Sequence, residues 1–280
     1  MNVFFLVNHF FVHRDAATKD VAKEKVAHVI EKLGYPDWAN NEVTAENMLD
    51  YTYKDMVMSD TDNFANVQQM RNHKRLELCD IRTFGRDPFA DWRKTPLYSV
   101  RSTYFYPWNE MVIPAGLLQF PLFSGSNPEM YRMTTFGSVG FRMARGYLYG
   151  ISENGQYFDK YGNQLDQSWW SKETSDNFNA QKQCLTNWYS TVKTEPLVYG
   201  GQKQQLHLTN PSAYASQAAI DIGALRNAFI AYTSDAVQSQ EKTSHEAFLP
   251  GIPAKTKNEY FFLSFAQVSF KIIFFSCFLN

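Results

Sequence analysis

The sequence predicts a mainly α-helical fold that contains one small β-sheet. Several segments place their apolar residues at helical spacing, and the first of them is Asp15–Leu33. Residues Tyr98–Ile113 are instead rich in aromatic and β-branched side chains, interrupted by Pro107 and Asn109. This composition indicates two short strands joined by a turn. The chain has 280 residues, of which 44% are hydrophobic and 16% aromatic, and this is enough material for a sizeable core.

The helices follow one another along the chain. The first is expected to end near Leu33, because Gly34 and Pro36 supply a stop signal. Ser171 is a candidate N-cap for a later helix. The further helices are predicted at Glu46–Met58, Asn63–Leu78, Thr134–Tyr149, Lys172–Val192, Ser212–Ala231 and Glu259–Val268, with a loop over Val198–Pro211.

The charge balance excludes some classes of function. Lys and Arg number 27 and Asp and Glu 28, so the net charge is −1. Such a chain has no electrostatic reason to bind nucleic acid. Its three Cys cannot build a disulfide-rich scaffold.

The two ends of the chain are apolar. Met1–Val12 is too short to span a bilayer and lacks the features of a signal peptide. Tyr260–Asn280 approaches the length of a membrane span, but it contains Gln267 and Lys271. A core helix followed by an irregular tail is the favoured interpretation, and a tail that anchors the chain in a membrane stays open as the alternative.

A search for catalytic motifs finds none. The chain has no His-Glu-x-x-His, Gly-x-Ser-x-Gly, P-loop or Gly-x-Gly-x-x-Gly motif. His9 and His13 are four residues apart but have only Asp15 as a nearby carboxylate, so they are interpreted as incidental. Asp159–Asn163 departs from the EF-hand pattern and is expected to form a turn.

Several blocks of the sequence occur in an order that is similar to a known family. The most specific are Asn109–Gln119 (NEMVIPAGLLQ) and Asn154–Lys160 (NGQYFDK). They are accompanied by Gly34-Tyr35-Pro36-Asp37, Phe136-Gly137, Trp169-Trp170, Cys184, Asp221, Arg226 and Leu249-Pro250-Gly251. Over residues 13–268 the chain resembles the C-terminal part of the neprilysin and endothelin-converting-enzyme family of zinc metalloendopeptidases.

This resemblance implies a thermolysin-like zincin catalytic domain that is truncated at both ends. It divides the chain into a helical segment at residues 1–93, a metallopeptidase-like domain at 94–268 and a divergent tail at 269–280. The family uses zinc, held by two His and one Glu, with a second Glu as general base. It works at the cell surface or in secreted form, which implies an extracellular location for this chain. The partner of the Cys that Cys184 matches lies in the family's N-terminal half, so Cys184 is expected to be unpaired or to pair with another Cys than the family's.

The family's catalytic residues are replaced at the aligned positions. Counting back from Asn154, the His-Glu-x-x-His positions are Arg145-Gly146-Tyr147-Leu148-Tyr149. The third zinc ligand aligns with Gln217. We therefore expect no bound metal, no other cofactor and no catalytic residue. The family's substrate-binding Asn-Ala pair falls at Arg101 and Ser102, so this pair is vestigial as well.

Asp221 matches the family residue that orients the first zinc-binding His. Because that His position is Arg145, and a buried Arg needs a counter-charge, we expect an ion pair between Arg145 and Asp221. The sequence thus predicts a catalytically inactive homologue with a binding or scaffold role, for which a peptide or protein ligand is left open. The alternative is a fragment, or an incorrectly assembled member, of the zinc metalloendopeptidase family. The sequence does not address the oligomeric state.

Overall fold

The computed structural model describes residues 15–84, 92, 95–123, 132–192, 197–199, 202–204, 210–234, 256 and 258–267. His9, His13 and the tail after residue 267 lie outside this set. The helices are α1 (Ala16–Ala27), α2 (Glu42–Tyr53), α3 (Asn63–Phe84), α4 (Arg132–Thr135), α5 (Phe141–Gly150), α6 (Lys172–Thr191), α7 (Pro211–Tyr232) and α8 (residues 258–267). The strands are β1 (Ile30–Gly34), β2 (Thr103–Phe105), β3 (Glu110–Pro114), β4 (Leu197–Tyr199) and β5 (Gln202–Gln204).

The main sheet has three strands in the order β1-β3-β2. Strands β2 and β3 confirm the predicted pair of short strands, and they run antiparallel. Strand β1 was predicted as the end of the first helix, and this prediction is wrong. The helix stops at Ala27, and Ile30–Gly34 pairs in parallel with β3, which places Leu33 on the surface at 45% exposure. Pairing with a strand distant in sequence therefore overrides the local helical spacing.

The remaining helix predictions agree with the structure within one or two residues, with two exceptions. Helix α2 begins four residues and ends five residues earlier than predicted, and α3 continues to Phe84. Ser171 caps α6 by accepting a hydrogen bond from the backbone of Thr174 at 3.0 Å, as predicted. The segment predicted as a loop at Val198–Pro211 instead contains part of the β4–β5 hairpin. Asp159 closes the expected turn by accepting from the backbone N–H groups of Tyr161 and Asn163, both at 2.8 Å.

The core lies between the sheet, helix α5, helix α7 and helix α8. Its fully buried members include Ala22, Met111, Ile113, Leu117, Ala144, Leu148, Ala224, Ala228 and Phe261. Close approach of α8 requires a glycine at Gly137, where a Cβ would lie 2.3 Å from the carbonyl oxygen of Phe261. The backbone between α4 and α5 forms a π-helical turn at Phe136–Gly140, so α4, this turn and α5 form one continuous helix.

Helix α1 is held at both of its ends. Asp15 accepts from the backbone N–H of Thr18 at 2.9 Å and from the Thr174 hydroxyl at 2.8 Å, so one carboxylate joins the starts of α1 and α6. At the other end Lys25 is buried and donates to the carbonyls of Gly155 and Phe158, each at 2.6 Å. These contacts fix the loop that follows α5.

Helices α2 and α3 expose many apolar side chains. None of the residues of α2 is buried. Val43, Tyr51 and Phe64 on these helices are each at least 65% exposed, as is Val57 in the connection between them. None of the helices in the described ranges is sufficiently long and apolar to cross a membrane.

Candidate functional site

The candidate site is built on two helices that face each other, α5 and α7. Arg145 and Tyr149 are one turn apart on α5, and Gln217 and Asp221 are one turn apart on α7. The continuous helix that ends in α5 is held at Ser138, whose hydroxyl donates to the carbonyls of Leu122 and Thr134 at 2.6 and 2.7 Å. The side chains of both helices are therefore presented to one another by a firmly packed framework.

Four of the predicted vestigial residues form one closed polar ring. The Tyr149 hydroxyl donates to the Gln217 carbonyl Oε1 at 3.2 Å. The Gln217 amide in turn donates to the Asp221 carboxylate Oδ1 at 3.0 Å. Arg145 Nε lies 2.8 Å from the same Oδ1, and the Arg145 guanidinium lies 5.5 Å from the centre of the Tyr149 ring. We call Arg145, Tyr149, Gln217 and Asp221 the polar ring.

The expected ion pair between Arg145 and Asp221 is confirmed, with two qualifications. The Arg145 side chain is 25% exposed and that of Asp221 34%, so the pair is half-buried rather than enclosed. The contact is a charge pair in which Nε–H is not aligned for a hydrogen bond. Burial raises the pKa of Asp221 above its usual value, and the nearby Arg145 and Gln217 offset only part of this effect.

The general-base position is closed by a residue that the sequence analysis did not single out. A Cβ placed on Gly146 would lie 2.1 Å from the sulfur of Met111, which is fully buried on β3. The thioether therefore occupies the space that a longer side chain at this position would need. The only signal of this contact in the sequence is that position 146 is a glycine.

The loop after α5 is tied to both later helices. Glu153 accepts from Lys182 Nζ at 2.8 and 2.9 Å and from the Ser216 hydroxyl at 3.0 Å. The Tyr147 hydroxyl donates to the Glu31 carboxylate on β1, and burial raises the pKa of Tyr147 far above its usual value. These contacts orient α5, and the polar ring lies on the face of α5 that is turned towards α7.

Arg101 and Ser102 are not part of the polar ring. Both precede β2, and Arg101 is exposed with its backbone N–H bonded to the Ser99 hydroxyl at 3.2 Å. In the part of the chain that the structure describes, neither residue is hydrogen-bonded to the ring. Cys184 is free and exposed.

The chemistry of the polar ring does not fit zinc. Zinc sites in proteins use imidazole, thiolate or carboxylate ligands. The positions aligned with the ligands hold a guanidinium, a phenol and a primary amide, and the guanidinium is a permanent cation. Within the described ranges no three His, Cys, Asp or Glu side chains come together as a metal would require.

The fold is similar to that of known zinc metalloproteases. The structure of Mycobacterium tuberculosis zinc metalloprotease Zmp1 in complex with an inhibitor superposes with a TM-score of 0.65 at 22% identity, over 95% of this chain and 37% of that one. The fold is also similar to that of a Haemonchus galactose-containing glycoprotein complex, with a TM-score of 0.69 at 16% identity, over 95% of this chain and 40% of that one. The fold class is thus the zincin metallopeptidase fold, mostly helical with a small sheet, as the sequence predicted.

The sequence comparison identifies the family. The sequence model of peptidase family M13 matches residues 102–271. Neprilysin from Oryctolagus cuniculus is 30% identical over 254 residues, which cover 91% of this chain and 31% of that protein. The chain belongs to peptidase family M13, and the resemblance to neprilysin is confirmed. It spans about a third of the length of the curated relatives that it matches.

Proposed function

We propose that this chain is a catalytically inactive member of family M13 that binds a peptide or protein ligand without hydrolysing it. The observation that supports the proposal is the polar ring. The side chains at the aligned ligand positions bind one another, and Arg145 places a fixed positive charge where the family holds a cation. A second cation at this position would be repelled.

The general base is missing in the same way. The family's mechanism needs a carboxylate that takes a proton from water, and Gly146 has no side chain to do this. Met111 fills the adjacent space with a thioether, which is not a base. We therefore expect no cofactor, and the extracellular location implied by the family is kept as part of the proposal.

The experiment is a peptide-cleavage assay on the purified chain with an active neprilysin as positive control. A mixture of peptides is incubated with the chain and with added Zn²⁺, and the products are followed by mass spectrometry. We expect no cleavage with or without a chelator. Cleavage that a chelator abolishes would show an active metallopeptidase and overturn the proposal.

The alternative is a fragment that does not fold without the rest of its parent protein. The exposed apolar side chains of α2 and α3 support this alternative. Thermal unfolding distinguishes the two. A cooperative transition supports the inactive homologue, whereas a gradual loss of helical signal supports the fragment.

A further inference from the structure

Arg142 is a buried cation that has no hydrogen-bonding or ionic partner among the residues that the structure describes. It lies on α5 three residues before Arg145, and its side chain is only 5% exposed. Its Nε is completely buried and makes no hydrogen bond. Among the described residues, none accepts a hydrogen bond from Arg142 or places a carboxylate beside it. Burial of an unpaired charge is costly, so a folded protein normally supplies a counter-ion.

Counted over the described part of the chain, the charges around Arg142 leave one positive charge uncompensated. Arg142 and Arg145 are neighbours on one face of the helix, and the nearby carboxylate, Asp221, is already engaged by Arg145 and Gln217. Burial and the charge of Arg145 lower the pKa of Arg142 to about 10, which leaves the guanidinium protonated at neutral pH. Glu153, on the loop after α5, is held by Lys182 and Ser216.

We propose that Arg142 and Arg145 together form a binding site for the carboxylate of a peptide ligand. A guanidinium presents a planar fork of donors that matches the two oxygens of a carboxylate. Arg145 is a quarter exposed, so a ligand can reach Arg145 from the side of the polar ring. The peptide nature of the ligand rests on the proposed function, whereas the preference for a carboxylate follows from the two arginines.

The experiment measures the thermal midpoint of the full chain with three probes in chloride buffer at matched ionic strength. The probes are N-acetylglycine, its uncharged analogue N-acetylglycinamide, and inorganic phosphate. We expect the midpoint to rise with the concentration of N-acetylglycine and to stay unchanged with the amide. A rise with phosphate alone, or with none of the probes, overturns the carboxylate site.

Variants then assign the effect to Arg142. Arg142→Met removes the buried charge and is expected to raise the midpoint in chloride alone, while it abolishes the response to N-acetylglycine. Arg142→Lys keeps the charge but loses the fork, and we expect it to weaken the response about tenfold or more. Arg75→Met, on the exposed face of α3, is the matched control and should respond like the unaltered chain.

The results separate this site from the proposed function. If peptides are cleaved but N-acetylglycine still binds through Arg142, the inactive homologue is refuted and the carboxylate site stands. If no peptide is cleaved and Arg142→Met responds to N-acetylglycine as the unaltered chain does, the carboxylate site is refuted and the proposed function stands.

Discussion

The sulfur of Met111 lies where a side chain on Gly146 would have to begin, 2.1 Å from the ideal position of its Cβ. Met111 belongs to β3 and Gly146 to α5, so this contact sets how closely the helix approaches the sheet. The Met111 side chain fills the space beside Gly146, and only a glycine at position 146 leaves room for it.

The first prediction concerns this pair. In an ordinary helix Gly→Ala stabilises by about 1 kcal/mol. Here Gly146→Ala is expected to destabilise the chain by about 1–2 kcal/mol, because the methyl group overpacks against Met111. Urea unfolding measures the change. The double variant Gly146→Ala with Met111→Ala is expected to lose less unfolding free energy than the two single variants lose together. Losses that simply add would contradict the close contact between the two residues.

The second prediction concerns the pH dependence that Asp221 confers. The folded-state pKa of Asp221 is raised, so its contribution favours folding at low pH and is lost as the pH rises through the folded-state pKa. We therefore expect the unaltered chain to gain stability relative to Asp221→Asn as the pH falls from neutral towards the unfolded-state pKa. Parallel unfolding free energies across this range would contradict the assignment. Asp176→Asn, on the exposed surface of α6, is the control.

The third prediction concerns Lys25. Burial lowers its pKa from 10.5 to about 7, so the folded chain releases this proton more readily than the unfolded chain. Stability from this group is therefore expected to increase as the pH rises from about 7 towards 10.5. Lys25→Met should remove that increase and also destabilise the chain, because the carbonyls of Gly155 and Phe158 lose their donor. If the stability of both proteins changes equally with pH, Lys25 is not the group responsible.

The fourth prediction concerns Asp15, whose carboxylate joins the starts of α1 and α6. Asp15→Ala is expected to cost about 1–2 kcal/mol at neutral pH, whereas Asp20→Ala on the exposed face of α1 should cost little. Hydrogen bonds from Ser171 and Thr18 hold the pKa of Asp15 far below its usual value. The difference in unfolding free energy between the unaltered chain and Asp15→Ala should therefore shrink as the pH falls below 3.8. A difference that stays constant with pH would contradict this role of the Asp15 carboxylate.

Much of the site was predictable because the resemblance to the family aligns its residues. Asp221 was singled out because it matches the family residue that orients the first zinc-binding His, whose position here is Arg145, and a half-buried arginine needs a counter-charge. Strand β1 was not predictable from local spacing, because Ile30 and Leu33 fit a helix until β3 is available to pair with them.

Two other features depend on contacts between distant segments. The fit of Met111 against Gly146 is a matter of packing between residues 35 positions apart, and no single-residue pattern reveals it. The isolation of Arg142 is likewise visible only when its surroundings are known, because most arginines in a sequence are solvated or paired.

The central claim is that the polar ring has replaced the zinc site, and zinc binding tests it most directly. The purified chain is stripped of metal, exposed to excess Zn²⁺, dialysed and analysed for zinc by elemental mass spectrometry, with an active neprilysin treated in parallel. We predict negligible zinc in this chain and one zinc per molecule in the control. One zinc per chain, lost when Gln217→Ala or Tyr149→Phe is introduced, would contradict the account.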